Sequence, residues 1–357
     1  MNCDLSVETL QDKVLDGVRV APDEALALYR DLTLPEIGAL ADAVRQRKHP
    51  ERAVTYIVDR NINYTNICDV HCAFCAFMCR EDDTEAYVLT LEQIGEKIQE
   101  LVDIGGVQVL LQGGHHPKLG IDYYLDLLQS VRRRFPQVNV HGFSPPEFCH
   151  FAKVFGMSVE EVLRRFKKAG LGSIPGGGAE ILVDRVRRRV SPRKCTSRQW
   201  LDVMETAHRL GLNSSATMMF GHVETVEDRI EHLSRLRELQ DQTHGFTAFI
   251  CWTFQAEHTR LRAPTVGAHD YLRTQALARI FLDNFDNVQS SWVTQGPQIG
   301  QIALKFGAND FGSVMMEENV VRQAGATFRI DEATMQRLIR ELGYEPHRRN
   351  NWYKLLN

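Results

Sequence analysis

From Val54 onward the chain alternates two textures. Short apolar or β-branched runs are separated by stretches whose apolar residues recur at helical spacing. The runs are VTYIV, VQVLLQGG, VNVHGFS, LGSIPGGGAE, NSSATMMFG, GFTAFICWTF, VQSSWVT and LKFGANDFG; TLEQIGEKIQELVDIG and TSRQWLDVMETAHRLG are typical of the stretches between them. This pattern predicts parallel strands joined by helical crossovers. Eight runs between Val54 and Gly312 span about 260 residues, close to the roughly 250 of a TIM-like (β/α)8 barrel. The link between the seventh and eighth runs is short, so an open six-stranded barrel is the alternative. Residues 1–50 read as a helical extension, with Ser6 as a cap and Pro22 and Pro35 at first-turn positions. Residues 51–325 form the α/β barrel, and 326–357 a helical tail.

Polar and glycine-rich residues gather at the C-terminal ends of the runs: Gln112-Gly113-Gly114, Ser144, Gly176–Gly178 with Glu180, Gly221, Gln295 and Asn309-Asp310. In a parallel barrel those ends converge on one rim, where ligands bind.

Composition narrows the function classes. Of the 357 residues 43% are hydrophobic and 25% charged, and the formal net charge of −4 gives no general attraction to nucleic acid or acidic membranes. The arginine runs Arg132–Arg134 and Arg185, Arg187–Arg189 follow apolar residues at helical spacing and read as solvated helix faces. No secretory leader and no apolar run of membrane length is present, so a cytoplasmic protein without a membrane partner is expected. Eight cysteines, five of them scattered or unpaired in spacing, do not make a disulfide framework.

Three of those cysteines are not scattered. Cys68, Cys72 and Cys75 fall at C-x3-C-x2-C, close enough for one loop to wrap a metal centre. A structural zinc usually takes ligands from two separated pairs, and no second pair follows. An electron-transfer iron–sulfur cluster takes four cysteines in other spacings. Three thiolates leave one iron open to a chelating substrate. Cys79 would close that position if it were a ligand; a packed thiol is the alternative. Cys3, Cys149, Cys195 and Cys251 stand alone and are given no redox role.

With Phe74 before the third cysteine, the loop resembles the signature of radical S-adenosylmethionine (SAM) enzymes. That resemblance implies a [4Fe-4S] cluster on Cys68, Cys72 and Cys75, whose open iron takes SAM and releases a 5′-deoxyadenosyl radical. Gln112, Gly113 and Gly114 resemble the family's glycine motif for the methionine amino group, where bare backbone can approach an ammonium closely. Ser144 is a further rim contact for the cofactor. Glu180 is placed for the ribose hydroxyls, or else is a first-turn acid of the following helix. Thr217-x-Met219-x-Gly221-x-x-Glu224 resembles the adenine-contacting segment, departing from it at Thr217 and Met219; Glu224 reads as structural. Gly176–Gly178 lacks the partners of a phosphate loop.

Longer segments, PGGGAEILVDRV and TMMFGH among them, resemble the dehypoxanthine futalosine cyclase family of the futalosine route to menaquinone, from about Val54 to Gly325. Aminofutalosine synthase and the deazaflavin-forming radical synthases share the cysteine loop and the GANDFG-like segment. Cys251 stands where the family leads one to expect proline. The resemblance implies that the radical takes hydrogen from C4′ of the sugar of dehypoxanthine futalosine. The carbon radical would then attack the benzoate ring, and one electron and one proton would leave. It also implies an electron donor such as flavodoxin or ferredoxin. His116, with His115 as alternative, would bind a sugar hydroxyl or take the departing proton. Asn309 would be a hydroxyl partner, and Ser290, Ser291, Thr294 and Gln295 would share one strand, only some of them facing inward.

Overall fold

Each N-terminal helix begins where its local signals place it. The computed structural model describes residues 6–356, so Cys3 lies outside the described residues. Ser6 caps helix Val7–Leu15 by accepting from the Thr9 N–H, Pro22 opens Pro22–Asp31, and a Thr33/Glu36 capping box opens Leu34–Lys48. These helices do not stand apart. Leu34–Lys48 packs along helix Ala268–Phe281, and Pro22–Asp31 packs on that helix and on Val226–Thr243.

The strands are β1 (Ala53–Ile57), β2 (Asp59–Asn63), β3 (Gln108–Gln112), β4 (Asn139–Gly142), β5 (Ser214–Phe220), β6 (Phe246–Thr253), β7 (Asn287–Gln289), β8 (Asp310–Ser313) and β9 (Glu345–Arg348). They pair in two sheets, β5-β6-β7-β8-β1-β9 and β2-β3-β4, and every ladder is parallel. The first run is longer than its apolar residues suggest. It continues past Val58 as Asp-Arg-Asn-Ile-Asn, so that β1 bonds β8 while its continuation β2 bonds β3. The fourth run forms no ladder. Pro175 and three glycines leave only two bridges, His141 with Ser173 and Ile174 with Ser214, which join β4 to β5. The chain is an α/β fold of parallel strands and crossover helices, with the wall of a partial barrel.

Three expectations need correction. The strand of the seventh run ends at Gln289, and Trp292–Gln295 is a helical turn, so Ser291, Thr294 and Gln295 do not alternate along a strand. The eighth strand starts at Asp310, which puts Asn309 at its N-terminal end, away from the rim. The tail is not all helix: after Glu332–Glu341 it adds β9, paired with β1 in register Ala53↔Glu345.

The main apolar core fills the space between strands and helices, and a smaller cluster of Val190, Met219, Phe254 and Leu261 sits beside the cysteine loop with Ala73 and Phe74. Arg132–Arg134 are exposed as expected, and so are Arg185, Arg188 and Arg189; Arg187 is buried. No helix among the described residues is long and apolar enough to cross a membrane.

Candidate active site

A cavity of about 430 Å³ opens inside the barrel wall. Cys68, Cys72 and Cys75 all line it. Their loop is tied down on several sides. Ala73 N–H donates to Val190 O at 2.8 Å, Leu261 N–H donates to Ala73 O at 2.9 Å, and the Arg260 guanidinium reaches the carbonyls of His71 and Cys72. Arg193 donates to Asp69 O at 3.2 Å. Burial pushes the Cys72 thiol up to about 12 and raises Cys68 as well, while the Lys194 ammonium works the other way on both.

Cys79 does not join them. Its backbone is bridged to Ile67 and Cys68, with its N–H on Asn66 O at 2.9 Å and its carbonyl taking the Cys68 N–H at 3.0 Å. Its sulfur accepts from Asn66 Nδ2 at 3.2 Å, and it does not line the cavity. The donor set therefore fits a cluster held by three thiolates with one iron open.

The glycine turn after β3 is shaped by a buried acid. Glu147 Oε1 accepts from the Gly113 N–H at 3.1 Å and from Tyr64 OH at 2.8 Å; Oε2 accepts from Ser144 N and Oγ at 2.7 and 2.6 Å. Burial raises its pKa against those four donors. Ser144 lines the cavity, and its hydroxyl caps helix Pro145–Phe155 through Glu147. A Cβ on Gly113 would lie 2.5 Å from the Tyr64 ring, and one on Gly114 would lie 2.2 Å from Ile67 O, so neither position admits a side chain. Gln112, Gly113 and Gly114 all face the cavity.

Glu180 is not a helix acid, because the next helix begins at Asp184. It sits at φ +42°, in the left-handed region, with its buried carboxylate on the cavity wall. Lys194 Nζ donates to Oε1 at 2.9 Å, and Arg187 Nη1 lies 3.4 Å from Oε2. Arg187 also donates to the carbonyls of Gly178, Ala179 and Cys195, bracing the loop from behind. Burial opposes a charge on Lys194, yet the Cys72 and Glu180 charges outweigh it and raise its pKa. Lys194 escaped the sequence reading, and Arg187, expected on a solvated helix face, is instead buried. A basic run gives no hint of which member turns inward; the helical register did, because Val186, Arg187 and Val190 share a buried face. Met315, at φ +52°, also borders the cavity, and such strain gathers at binding sites.

Met219 lines the cavity and Thr217 anchors its strand by donating to Gly176 O. Gly221 does not line it; a Cβ there would strike Val266, and its N–H donates to Glu224 at 2.7 Å. Glu224 also pairs with Arg229 and takes the His222 N–H, a structural acid. His115 faces the cavity, and His116 does not: its Nδ1 accepts the Lys118 and Leu119 N–H groups. Asn309 is also off the cavity. Its Oδ1 accepts from Arg279 at 2.6 Å and from Val288 N–H at 2.9 Å, and its Nδ2 donates to Asn287. Both side chains are engaged by neighbouring residues, and neither lines the cavity.

The deeper wall is polar. Asp59, Gln108, His141, Ser215, Gln289 and Arg349 line it. Asp59 accepts from Ser313 Oγ and from Gln108 Nε2, and burial raises its pKa despite those donors. None of these was singled out from sequence, because inside a strand a polar residue pointing into a barrel looks the same as one facing solvent.

Comparison with known proteins agrees with this geometry. Residues 62–236 match the Radical SAM superfamily, and 243–357 match the CofH/MqnC C-terminal region. The chain belongs to the radical SAM superfamily. Within it, the chain is 45% identical to cyclic dehypoxanthine futalosine synthase of Halalkalibacterium halodurans, over 99% of this chain and 95% of that one. Identity is 44% to the synthase of the same name from Streptomyces coelicolor, over 98% and 89%. It is 39% to aminodeoxyfutalosine synthase of Thermus thermophilus, over 89% and 86%. These matches place the chain in the cyclic dehypoxanthine futalosine synthase family. Among solved structures, methylornithine synthase shares the fold at TM-score 0.73 and 18% identity, covering 94% of this chain and 97% of that one. Like other radical SAM proteins, the chain uses a [4Fe-4S] cluster and SAM, and the three cavity cysteines are the residues that fit the cluster.

Proposed function

We propose that this radical SAM enzyme cyclises dehypoxanthine futalosine, in the futalosine route to menaquinone. The observation that carries the reading is identity of 45% and 44% to two synthases of that name across nearly the whole chain. The three-thiolate wall supports the radical half of it. With the cluster and SAM bound, the cofactors supply a 5′-deoxyadenosyl radical for hydrogen abstraction at the substrate's C4′. The carbon so activated would add to the benzoate ring, and the ring radical would become product by giving one electron to a one-electron acceptor such as the oxidised cluster and one proton to solvent. The protein's part is orientation and exclusion of water.

Cys68, Cys72 and Cys75 hold the cluster. The Gly113 and Gly114 backbone, with Gln112 and Ser144 beside it, takes the methionyl ammonium, Glu180 takes the ribose hydroxyls, and Met219 lies along the adenine. Lys194 offers its ammonium to the methionyl carboxylate. The polar floor of Asp59, Gln108, His141 and Ser215 receives the substrate's hydroxyls. His116 and Asn309 have no part in this assignment. We also read the wall as a closed (β/α)8 barrel whose fourth strand is reduced to the Ser173 and Ile174 bridges, which is supported by the continuity of β1 into β2. A low-potential donor such as flavodoxin or ferredoxin supplies the electron. Such a centre needs a reducing compartment, which supports a cytoplasmic location.

The test is anaerobic incubation of the reconstituted enzyme with dehypoxanthine futalosine, SAM and dithionite. Cyclised product and 5′-deoxyadenosine should form together. An intact cluster that leaves this substrate uncyclised overturns the reading, and turnover of an aminodeoxyfutalosine precursor instead would assign the chain to that relative's activity.

A further inference from the structure

Beside the cysteine centre lies a second group of ligand-type atoms that the reaction does not use. One atom each from Asp69, His115 and His150 lie within 4.8 Å of one another. They come from three segments: the cysteine loop, the turn after Gly113-Gly114, and helix Pro145–Phe155. The His115 and His150 rings face each other, with centroids 4.9 Å apart and a 39° tilt. His115 is only 8% exposed, and its ring makes no hydrogen bond to any described residue. His115 lines the cavity, so its ring nitrogens stay open to a ligand. His150 is already oriented. Its Nε2 lies 2.9 Å from the carbonyl of His116, which places the proton on Nε2 and leaves the Nδ1 lone pair free. A backbone carbonyl behind an imidazole in this way is what commonly fixes a metal-binding histidine.

We propose that Asp69, His115 and His150 bind one divalent transition-metal ion of the zinc class, separate from the cysteine centre. Two imidazoles and a carboxylate are a donor set suited to such an ion, with a fourth position left for water. Ligand atoms around a tetrahedral ion with bonds near 2.0–2.1 Å sit about 3.4 Å apart. The set must therefore contract, and the exposed Asp69 side chain is free to swing inward. The ion would pin the cysteine loop to the glycine turn and to the Glu147 helix, fixing three borders of the cofactor position at one point. Nearby Lys194 opposes a cation here, and the Asp69 charge offsets it.

The experiment uses the full chain carrying its reconstituted cluster, so that Cys68, Cys72 and Cys75 are occupied. Zinc chloride is added anaerobically, unbound metal is removed, and zinc and iron are measured per chain. One zinc should remain, with only nitrogen and oxygen neighbours by zinc K-edge absorption. His150→Ala and Asp69→Asn should each lower retained zinc at least about tenfold with iron unchanged. Asp69→Asn is an exposed change and keeps the test decisive if His150→Ala fails to fold. No retained zinc, equal retention in the variants, or sulfur in the zinc shell overturns the proposal.

Discussion

Cys72 and Cys79 share a loop and little else. Cys72 is buried on the cavity wall with its thiol pushed up to about 12, whereas Cys79 is paired through its backbone and turned onto Asn66. Cys72→Ala should abolish the visible absorbance of the cluster and the formation of 5′-deoxyadenosine, while Cys79→Ala should keep both; an anaerobic spectrum and a product assay decide it. Lys194 gives a second test at this scale. Its ammonium is the nearest positive partner of the buried Glu180 carboxylate, at 2.9 Å against 3.4 Å for Arg187. Hydrogen bonds to charged groups contribute about 1.5–3 kcal/mol. Lys194→Met should therefore weaken SAM binding by roughly 10- to 100-fold, each tenfold being about 1.4 kcal/mol, with the cluster retained. Equilibrium dialysis against the reconstituted protein measures it, and unchanged affinity removes Lys194 from the cofactor site.

Between elements, spacing is the controlling quantity. Gly114 lets the turn after β3 approach the cysteine loop, where an added methyl would sit 2.2 Å from the Ile67 carbonyl. Because that neighbour is backbone, Gly114→Ala must shift the loop itself, at a cost of about 1–3 kcal/mol. Iron incorporation on reconstitution should drop, while far-ultraviolet circular dichroism stays unchanged. His232, on helix Val226–Thr243, ties that helix to the Glu180 loop by accepting the Leu182 N–H at 2.9 Å. Burial lowers its pKa to about 3, so the folded protein keeps it neutral where the unfolded chain protonates it near 6.5. A depressed pKa means stability that is complete above 6.5 and is lost as pH falls below it. At pH 5.5 this one group costs about 1.4 kcal/mol. Urea unfolding of the cluster-free protein should show His232→Gln losing less stability than wild type between pH 7.5 and 5.5.

Elements of this kind mark how far the sequence was legible. The strand–helix alternation, the helix caps and the cysteine spacing are local signals, and each led to the right region. Asn309 was misplaced because Leu304–Ala308, apolar apart from Lys305, belongs to the end of a helix and a turn, and apolarity alone cannot separate those from strand. The polar floor and Lys194 were invisible for a different reason: their meaning depends on partners far away in sequence.

At the scale of the whole molecule, the last residues form the edge of the six-stranded sheet. β9 lies against β1 and carries the chain to Arg349, whose guanidinium meets both oxygens of Asp310. Asp310 is fully buried and also takes the Thr55 hydroxyl and the Gly312 N–H, while Arg349 stacks over Tyr353 at 3.9 Å. One ion pair thus joins β1, β8 and the tail, and Arg349 and Tyr353 both line the cavity above it. Removing one partner of a buried pair leaves the other charge without compensation, a loss of about 3–5 kcal/mol. Arg349→Met should therefore lower stability by that order in urea unfolding. Adding Asp310→Asn should recover part of it, since the stranded charge is then gone. If the single and double variants are equally unstable, the pair is not what holds the tail in place, and the floor of the cavity owes its shape to the β1–β9 ladder alone.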